Sequence, residues 1–452
     1  MDLLKELTWR GLLHQSTDEA GLREHLADPK SFTRRIYAGF DPTADSLTIG
    51  NLVPIMLLKH IQRAGHDPVV VMGGGTGLIG DPSGKSAERQ LMTAEKVNQN
   101  IEQQRPIFSL ILGDKVKIVN NADWLTKISF VDALRDIGKY FSVNVMMQKD
   151  SVRSRLEDRE QGITYTEFSY MILQAYDFAH LYMNEQVTVQ CGGSDQYGNI
   201  IAGADLIRKK LAGAFAVSAL QDPQHPDEAQ LKTAVDINNK TLKSTFGFTA
   251  PLITKADGTK FGKTETGAIW LTADRTSPYA YYQFWLNASD ADVGRFLRTF
   301  TLLDRPEIER LEAEVKCNPS AREAQKTLAY EATSLLHGKA EADAAVNASK
   351  ALFADNIASL PEQTLRQVLA DVPTSRHDAK LLDKGVQMIG LLVETGLVTS
   401  KRQAKEFLSA GSVNVNGTKV GVDKSLSRDD LLHSSLIAIR RGKKNRHLTI
   451  WE

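Results

Sequence analysis

From residue 36 onward the first half of the chain alternates short, densely apolar runs with helical stretches, and this alternation limits the fold more than any other feature. IYAGF (36–40) reads as a strand, and a helix from about Leu52 to Ala64 follows, closed by Gly65. Pro68 to Met72 is a second strand. It runs into the turn GGGTGLIG, a polar helix expected near Ser86 to Gln104, and a strand at Val116 to Asn120. Val187 to Gln190 is a further strand, ahead of GGSDQYGN and another helix. Strands separated by helices pair through crossovers, so the order predicts an α/β domain with a parallel sheet. Ligands of such sheets collect at the carboxyl ends of the strands, which is where this sequence keeps its polar clusters.

At 452 residues the chain is too long for one core. Residues 213–245, with QDPQHPDEAQ, read as a surface insertion of no assigned function, and residues 290–370 as mostly helical. DVPTSRHDAK then reads as a linker. Beyond it, TSKRQAKEFLSAGSVNVNGTKV gives a capped helix ending at Gly411, an alternating strand and an Asn416-Gly417 hairpin turn, and LIAIRRGKKNRHLTI adds two strands around a basic turn. From Gly385 onward eleven Lys or Arg face six Asp or Glu, although the whole chain has no net charge. A surplus of basic groups on a small terminal module suits a polyanion. Cys191 and Cys317 are too far apart to form a metal knuckle or a disulfide framework. The N-terminus lacks the features of a signal peptide and no segment has the roughly 20 apolar residues of a membrane span, so a cytoplasmic protein without membrane partners is expected.

The stretch GFDPTADSLTIGN (39–51) gathers Asp41, Thr43, Asp45, Ser46 and Thr48 behind a strand without a single His or Cys. Such side chains hold a polar ligand and carry out no covalent chemistry, so the ligand has to arrive with its own reactive group. GTGLIG (75–80) fits the dinucleotide pattern, yet Asp81 would repel an approaching pyrophosphate. The helix after it looks too polar to pack inside a sheet protein. GKS at 84–86 and GKT at 262–264 end like phosphate loops, but Ile79 and Asp257 stand where the first Walker A glycine belongs. In FSYMILQAYDFAHLY, Tyr170, Gln174 and Asp177 lie at i, i+4 and i+7 on one face of an otherwise apolar helix. Three buried polar groups in one stripe either satisfy one another or face a ligand.

These stretches, YAGFDPTADSLTIGN, GGTGLIGDPSGKSAER, FSYMILQAYDFAHLY, QCGGSDQYGN and KADGTKFGKTETG, occur in the order in which they closely resemble bacterial-type tyrosyl-tRNA synthetases, class I aminoacyl-tRNA synthetases. The resemblance covers nearly the whole chain except 213–245. It implies a Rossmann-like parallel-sheet catalytic domain over 1–250 with an insertion forming a dimer interface. A domain with a KMSKS-type loop and helices over 251–370, a linker over 371–384 and a small S4-like α+β RNA-binding domain over 385–452 would follow. It further implies that Tyr37 and Asp177 hold the phenolic hydroxyl of tyrosine, Asp81, Tyr170 and Gln174 its ammonium group, and Gln196 lies near its carboxylate. A site built to hydrogen-bond a hydroxyl rejects the analogue lacking it, a rule for which this enzyme family is itself the standard example.

Around ATP the resemblance places Gly39, Asp41, Thr48, Gly50, Asn51, Asp195 and Lys263, with Asp195 on the ribose. The substrate's carboxylate attacks the α-phosphorus, so no protein nucleophile is needed, and catalysis lies in positioning and in neutralising the departing pyrophosphate. Thr43, Thr48 and Asn51 would act from one side and Lys85, Arg89, Lys260 and Lys263 from the other, with Mg²⁺ arriving on ATP and no protein metal site. The family's HIGH signature reads TIGN here, a form also similar to that of tryptophanyl-tRNA synthetases, and Ala38 replaces a common family cysteine near the ribose. A non-catalytic RNA-binding relative with a weakened ATP site is therefore the alternative. In the terminal module Lys401, Arg402, Lys405, Arg440, Arg441, Lys443, Lys444 and Arg446 would meet tRNA(Tyr) phosphates. A homodimer interface is implied near Phe130 to Met147.

Overall fold

The computed structural model describes residues 2–30, 33–82, 91–149, 152–153, 156, 163–219, 245–259, 261–264, 267–353, 356–370, 372–442 and 445–452, with backbone alone at 212–219, 263–264 and 353. The chain divides into two compact units, residues 1–275 with 288–324, and residues 276–287 with 325–452.

The first unit is organised on a six-stranded sheet in the order β1 (Gln15–Ser16), β6 (Phe246–Ala250), β5 (Val187–Gly193), β2 (Arg35–Phe40), β3 (Asp67–Met72) and β4 (Lys117–Asn120). β1 runs antiparallel to β6, and every other neighbouring pair is parallel. From β2 the chain moves to β3 and β4 on one side and later to β5 and β6 on the other. The strand order thus reverses beside β2, which opens a crevice at the carboxyl ends of β2 and β5. Tyr37 of β2 sits there opposite Gln190 of β5.

Helices α1 (Leu3–Arg10), α2 (Leu52–Arg63), α3 (Ala94–Leu112), α4 (Tyr165–Glu185) and α5 (Tyr197–Ala219) accompany the sheet, and α6 (Asp290–Phe300) follows it in this unit. α2 buries Leu52, Val53, Ile55, Met56, Leu57, Leu58, His60 and Ile61, so it is apolar nearly all round, as a helix against a sheet and under other helices must be. α4 starts where Thr164 accepts from the Glu167 amide and ends at Gln186, which adopts a left-handed conformation. Its Ala175, Phe178 and Ala179 join Ala202, Leu206 and Ile207 of α5 in one core.

The polar helix expected at 86–104 is α3. It begins at Ala94, because Thr93 caps it by accepting from the Lys96 amide, and it continues to Leu112 along the apolar run IFSLIL. The expectation that it is too polar to pack is also corrected. Asn100 and Gln104 are fully buried and donate to the carbonyls of Pro42 at 2.9 Å and Ala44 at 2.7 Å. Their donating nitrogens fix the turn that follows β2, while both amide oxygens are buried without a partner among the described residues. A hairpin, β7 (Lys263–Thr264) and β8 (Gly267–Ala268), completes the unit, and residues 220–244 of the expected insertion lie outside the described residues.

The second unit carries the five-stranded sheet β12 (Thr418–Lys419), β11 (Val413–Val415), β14 (Leu436–Arg441), β15 (Asn445–Trp451) and β9 (Thr374–His377), with the pair β10 (Val386–Gln387) and β13 (Ser425–Leu426) beside it. Helices α7 (Met388–Glu394) and α8 (Lys401–Ser409) bury Met388, Leu391, Leu392, Ala404 and Leu408 against Val413, Val415, Ile437 and Ile439. Asn416 and Gly417 both have positive φ, as their hairpin requires. The stretch read as a linker contains β9, which pairs in parallel with β15. No apolar alternation announces this strand. It is held by backbone pairing and by Ser375, whose hydroxyl lies 2.7 Å from His377 Nε2 and 2.9 Å from His447 Nε2.

Candidate active site

At the carboxyl ends of β2 and β5 the first unit opens a cleft of about 690 Å³. Tyr37, Gly39, Asp41, Thr43, Thr48, Gly50, Asn51, Asp81, Tyr170, Gln174, Asp177, Asp195 and Gln196 all line it. Four separate stretches of sequence therefore converge on one cavity, and Phe261 adds a fifth. Lys85, Arg89 and Lys260 lie outside the described residues, and for Lys263 the backbone alone is placed, in β7.

The closed end of the cleft is built around Asp177, which is 4 % exposed. Trp124 Nε1 donates to one carboxylate oxygen at 2.7 Å and Asn121 Nδ2 to the other at 2.8 Å. Burial pushes the Asp177 carboxyl up to about 7; these two donors pull the other way, and the negative charge of Asp41 adds to the rise. Asn121 is itself fixed, since its amide also donates to Thr76 Oγ1 at 3.0 Å and its oxygen accepts from the Gly75 N–H at 2.7 Å. The Tyr37 ring reaches the same end, 1 % exposed, and its hydroxyl has no hydrogen-bond partner among the described residues. Burial, with Asp177 adding to it, raises the Tyr37 pKa well above that of a free phenol, so the group stays a neutral donor and acceptor. A buried hydroxyl left unpaired beside a carboxylate costs free energy until a ligand hydroxyl joins them.

The middle of the cleft is a set of polar side chains that hold one another. Asp41 accepts from Thr76 Oγ1 at 2.8 Å through one oxygen and from the Tyr170 hydroxyl at 2.9 Å through the other. Asp41, expected around the adenylate, thus stands with the tyrosine-side residues, and the Tyr170 hydroxyl, expected on an ammonium group, points to Asp41. Asp81 accepts from Gln196 Nε2 at 2.7 Å, and Asn199 Nδ2 donates to both Gln174 Oε1 at 3.0 Å and Gln196 Oε1 at 3.1 Å. Gly73 makes room for this set, because a Cβ there would collide with Asp41 Oδ1 and Thr76 Oγ1.

At the open end, Asn51 Oδ1 accepts from the Thr48 backbone N–H at 3.0 Å and from the Thr48 hydroxyl at 2.9 Å. The two residues that replace histidines are therefore bonded to each other, and the Asn51 amide nitrogen remains as a donor at the start of α2. The start of α2 borders the cleft through Gly50, Asn51, Val53 and Pro54, and the positive end of the helix dipole there favours an anion. A strand segment after the lysine-bearing turn pins this signature, with Ile49 N–H donating to Ile269 O at 2.9 Å and Leu271 N–H to Leu47 O at 2.8 Å. Gly262, at φ +80°, abuts Ile49 so closely that a side chain there would clash.

Thr76 and Asn121 line the cleft, and Trp124 and Asn199 hydrogen-bond its lining side chains; the sequence reading missed all four. The signal for two of them was present: NNADW follows β4 directly, and the rule that strand ends carry the site applies to β4 as much as to β2. In the second unit Lys401, Arg402 and Lys405 are exposed along α8, Arg440 and Arg441 are half-buried on β14, and the Arg441 guanidinium lies 4.9 Å from the Phe407 ring centre. Lys443 and Lys444 lie outside the described residues.

Residues 31–354 match the family described as tRNA synthetases class I (W and Y), and residues 364–449 match the tyrosine–tRNA ligase SYY-like C-terminal domain. Over 454 residues, 99 % of each chain, the sequence is 46 % identical to the tyrosine–tRNA ligase of Geobacillus kaustophilus. The chain belongs to the tyrosyl-tRNA synthetase family. It is 44 % identical to the tyrosine–tRNA ligase 1 of Bacillus subtilis, over 457 residues and the whole of both chains. A C-terminally truncated mitochondrial tyrosyl-tRNA synthetase from Aspergillus nidulans has a TM-score of 0.65 at 31 % identity, covering 78 % of this chain and 94 % of that one. The fold is accordingly the class I synthetase fold with a C-terminal domain, and the relatives that match across the full length do not favour the non-catalytic alternative. Among the described residues no helix is long and apolar enough to cross a membrane.

Proposed function

We propose that this protein activates L-tyrosine with ATP to tyrosyl-adenylate and transfers the tyrosyl group to the 3′ end of tRNA(Tyr). The observation that carries the reading is the unpaired Tyr37 hydroxyl beside the Asp177 carboxylate at the closed end of the cleft. A substrate phenol seated there donates to Asp177 and accepts from Tyr37, which completes both. Phenylalanine would leave the Tyr37 hydroxyl buried and unpaired and would offer Asp177 no donor. Asp81, Gln174 and Gln196 flank the path outward and suit the ammonium and carboxylate of the amino acid, and Asp195 suits the ribose hydroxyls.

This orientation aims the tyrosine carboxylate at the α-phosphate of an ATP whose phosphates lie toward the N-terminus of α2. The new bond forms between the carboxylate oxygen and the α-phosphorus, and the bond to the β-phosphate oxygen breaks. Thr43, Thr48 and the Asn51 amide supply neutral donors to the charge that develops, and Lys85, Arg89, Lys260 and Lys263 supply cations to the leaving pyrophosphate, with Mg²⁺ entering as part of the ATP substrate. The exposed basic groups Lys401, Arg402 and Lys405, together with Arg440, Arg441, Lys443 and Lys444, would hold the tRNA backbone. Phe130, Val131, Leu134, Val143, Val145 and Met147 are all at least 46 % exposed, an apolar patch that fits a second copy of the chain. Tyrosine-dependent exchange of pyrophosphate into ATP tests the reading. Exchange with tyrosine and none with phenylalanine is expected, and equal rates with both would overturn the assignment of the closed end.

A further inference from the structure

The described chain on either side of residue 260 is fastened to α6 at three points, Thr254, Ala256 and Phe261. The Ala256 N–H donates to Asp292 Oδ1 at 2.9 Å, and the Arg295 guanidinium donates to the Thr254 carbonyl. At the tip, the Phe261 ring stacks on Phe300 at 5.2 Å between centres and 13° between planes, and packs on Phe296 at 5.1 Å. Phe296 and Phe300 are buried residues of α6, while Phe261 itself is half-buried and lines the cleft. α6 has its own anchor: the buried Arg10 guanidinium donates to the carbonyls of Arg298 at 2.8 Å, Thr301 at 3.0 Å and Leu303 at 2.6 Å.

We infer that Phe261 is a positioning residue for adenylate formation, its ring seating the Lys-Phe-Gly-Lys segment on α6. The inference rests on the reading of Lys260 and Lys263 as ligands of the leaving pyrophosphate. Phe261 is next to one lysine in sequence and two residues from the other, and an extended chain gains only about 3.5 Å per residue. A ring fixed in α6 therefore sets where both ammonium groups can reach. On the far side Gly262 rests against Ile49 of the signature turn, so the segment is held between α6 and the start of α2. Nothing in the chemistry of the reaction requires an aromatic side chain between two lysines. The stack on α6 does.

The test is pyrophosphate exchange by Phe261→Ala and Phe261→Leu, each measured in the unaltered chain and in the Lys260→Ala/Lys263→Ala background. A displacement of the lysines by about 1 Å is expected to lower kcat about 100-fold in Phe261→Ala. The dissociation constant of tyrosine, measured by calorimetry, should stay within about twofold, because the tyrosine end makes no contact with the stack. Phe261→Leu, which refills the space, should recover most of the rate. In the lysine-free background Phe261→Ala should cost almost nothing more, since its effect passes through groups already removed. Equal losses in both backgrounds, or a Phe261→Ala enzyme with the unaltered rate, would overturn the inference while leaving the lysines' role intact. Full exchange without the two lysines would remove that role and the inference with it.

Discussion

The two ends of the cleft are prepared to different degrees. At the end proposed for tyrosine Asp177 is already held by Trp124 and Asn121, Asn121 by Thr76 and Gly75, and Asp41 by Thr76 and Tyr170. At the end proposed for the nucleotide Thr48 and Asn51 bond to each other, and Lys263 belongs to the short hairpin of β7 and β8 rather than to the six-stranded sheet. The difference follows from what each end must do. Rejecting phenylalanine depends on groups that cannot relax when the wrong ligand enters, and a buried, cross-braced carboxylate cannot. Assisting the departure of pyrophosphate depends on groups that hold it during transfer and then release it, so their bonds are exchangeable.

The comparison breaks first at Asp177. Asp177→Ala removes the acceptor for the phenol and for the Trp124 N–H, while the Asn121 amide keeps its bond to Thr76. The tyrosine phenol then loses a hydrogen bond to a charged group, worth about 1.5–3 kcal/mol, which phenylalanine never made, so the preference for tyrosine over phenylalanine in kcat/KM should fall about 10- to 100-fold. Retained preference would mean that the phenol is recognised elsewhere. Asn51→Ala probes the other end. Loss of a donor to developing phosphate charge, worth about 1.5–3 kcal/mol, should lower the exchange kcat by about 10- to 100-fold with little change in tyrosine affinity. A parallel loss of tyrosine affinity would show that the two ends are one rigid unit. Trp124→Phe keeps an aromatic ring against His180 and deletes one donor, so a loss of about tenfold in discrimination is expected with the nucleotide KM unchanged. No loss would make Asn121 alone sufficient to orient Asp177.

The sequence exposed the sheet, the polar cluster after β2 and the stripe on α4 through local patterns, whereas Tyr37, Asp81, Asp195 and Gln196 were read from the resemblance to the synthetase family. Strand runs such as PVVVM, with glycines at their ends, show where ligands gather, and the i, i+4, i+7 stripe on α4 shows which face points there. What stayed hidden depends on pairing across the fold. Tyr170 and Asp41 are 129 positions apart, and nothing local in either stretch says that the hydroxyl of one meets the carboxylate of the other. The burial of Asn100 and Gln104 is of the same kind. An amide in a polar helix reads as solvent-facing until the carbonyls of Pro42 and Ala44 are placed above it. β9 escaped because its backbone pairing leaves no pattern in TSRH and the side-chain partner that helps to hold it, His447, lies 72 positions from Ser375.

The smallest predicted effect is the pH dependence of the prepared end. With the folded Asp177 carboxyl raised to about 7 by burial, the folded chain holds a proton there between roughly pH 4 and 7 that the unfolded chain has already released. Unfolding free energy from this group is therefore full below about pH 4 and declines as pH rises through 7. Ligand binding runs in the opposite direction. A substrate phenol donates better to a carboxylate than to a carboxylic acid, so tyrosine affinity should weaken as pH falls from 8 to 6, by no more than about tenfold because a single proton is involved. In Asp177→Asn both trends should flatten, with the stability gain at pH 8 accompanied by poorer tyrosine binding at every pH. Calorimetric titration of tyrosine against a pH series measures the second trend and denaturant unfolding the first. If affinity is level from 6 to 8 in the unaltered chain, the Asp177 carboxyl keeps one charge state across that range, and the preparation of this end lies in its geometry alone.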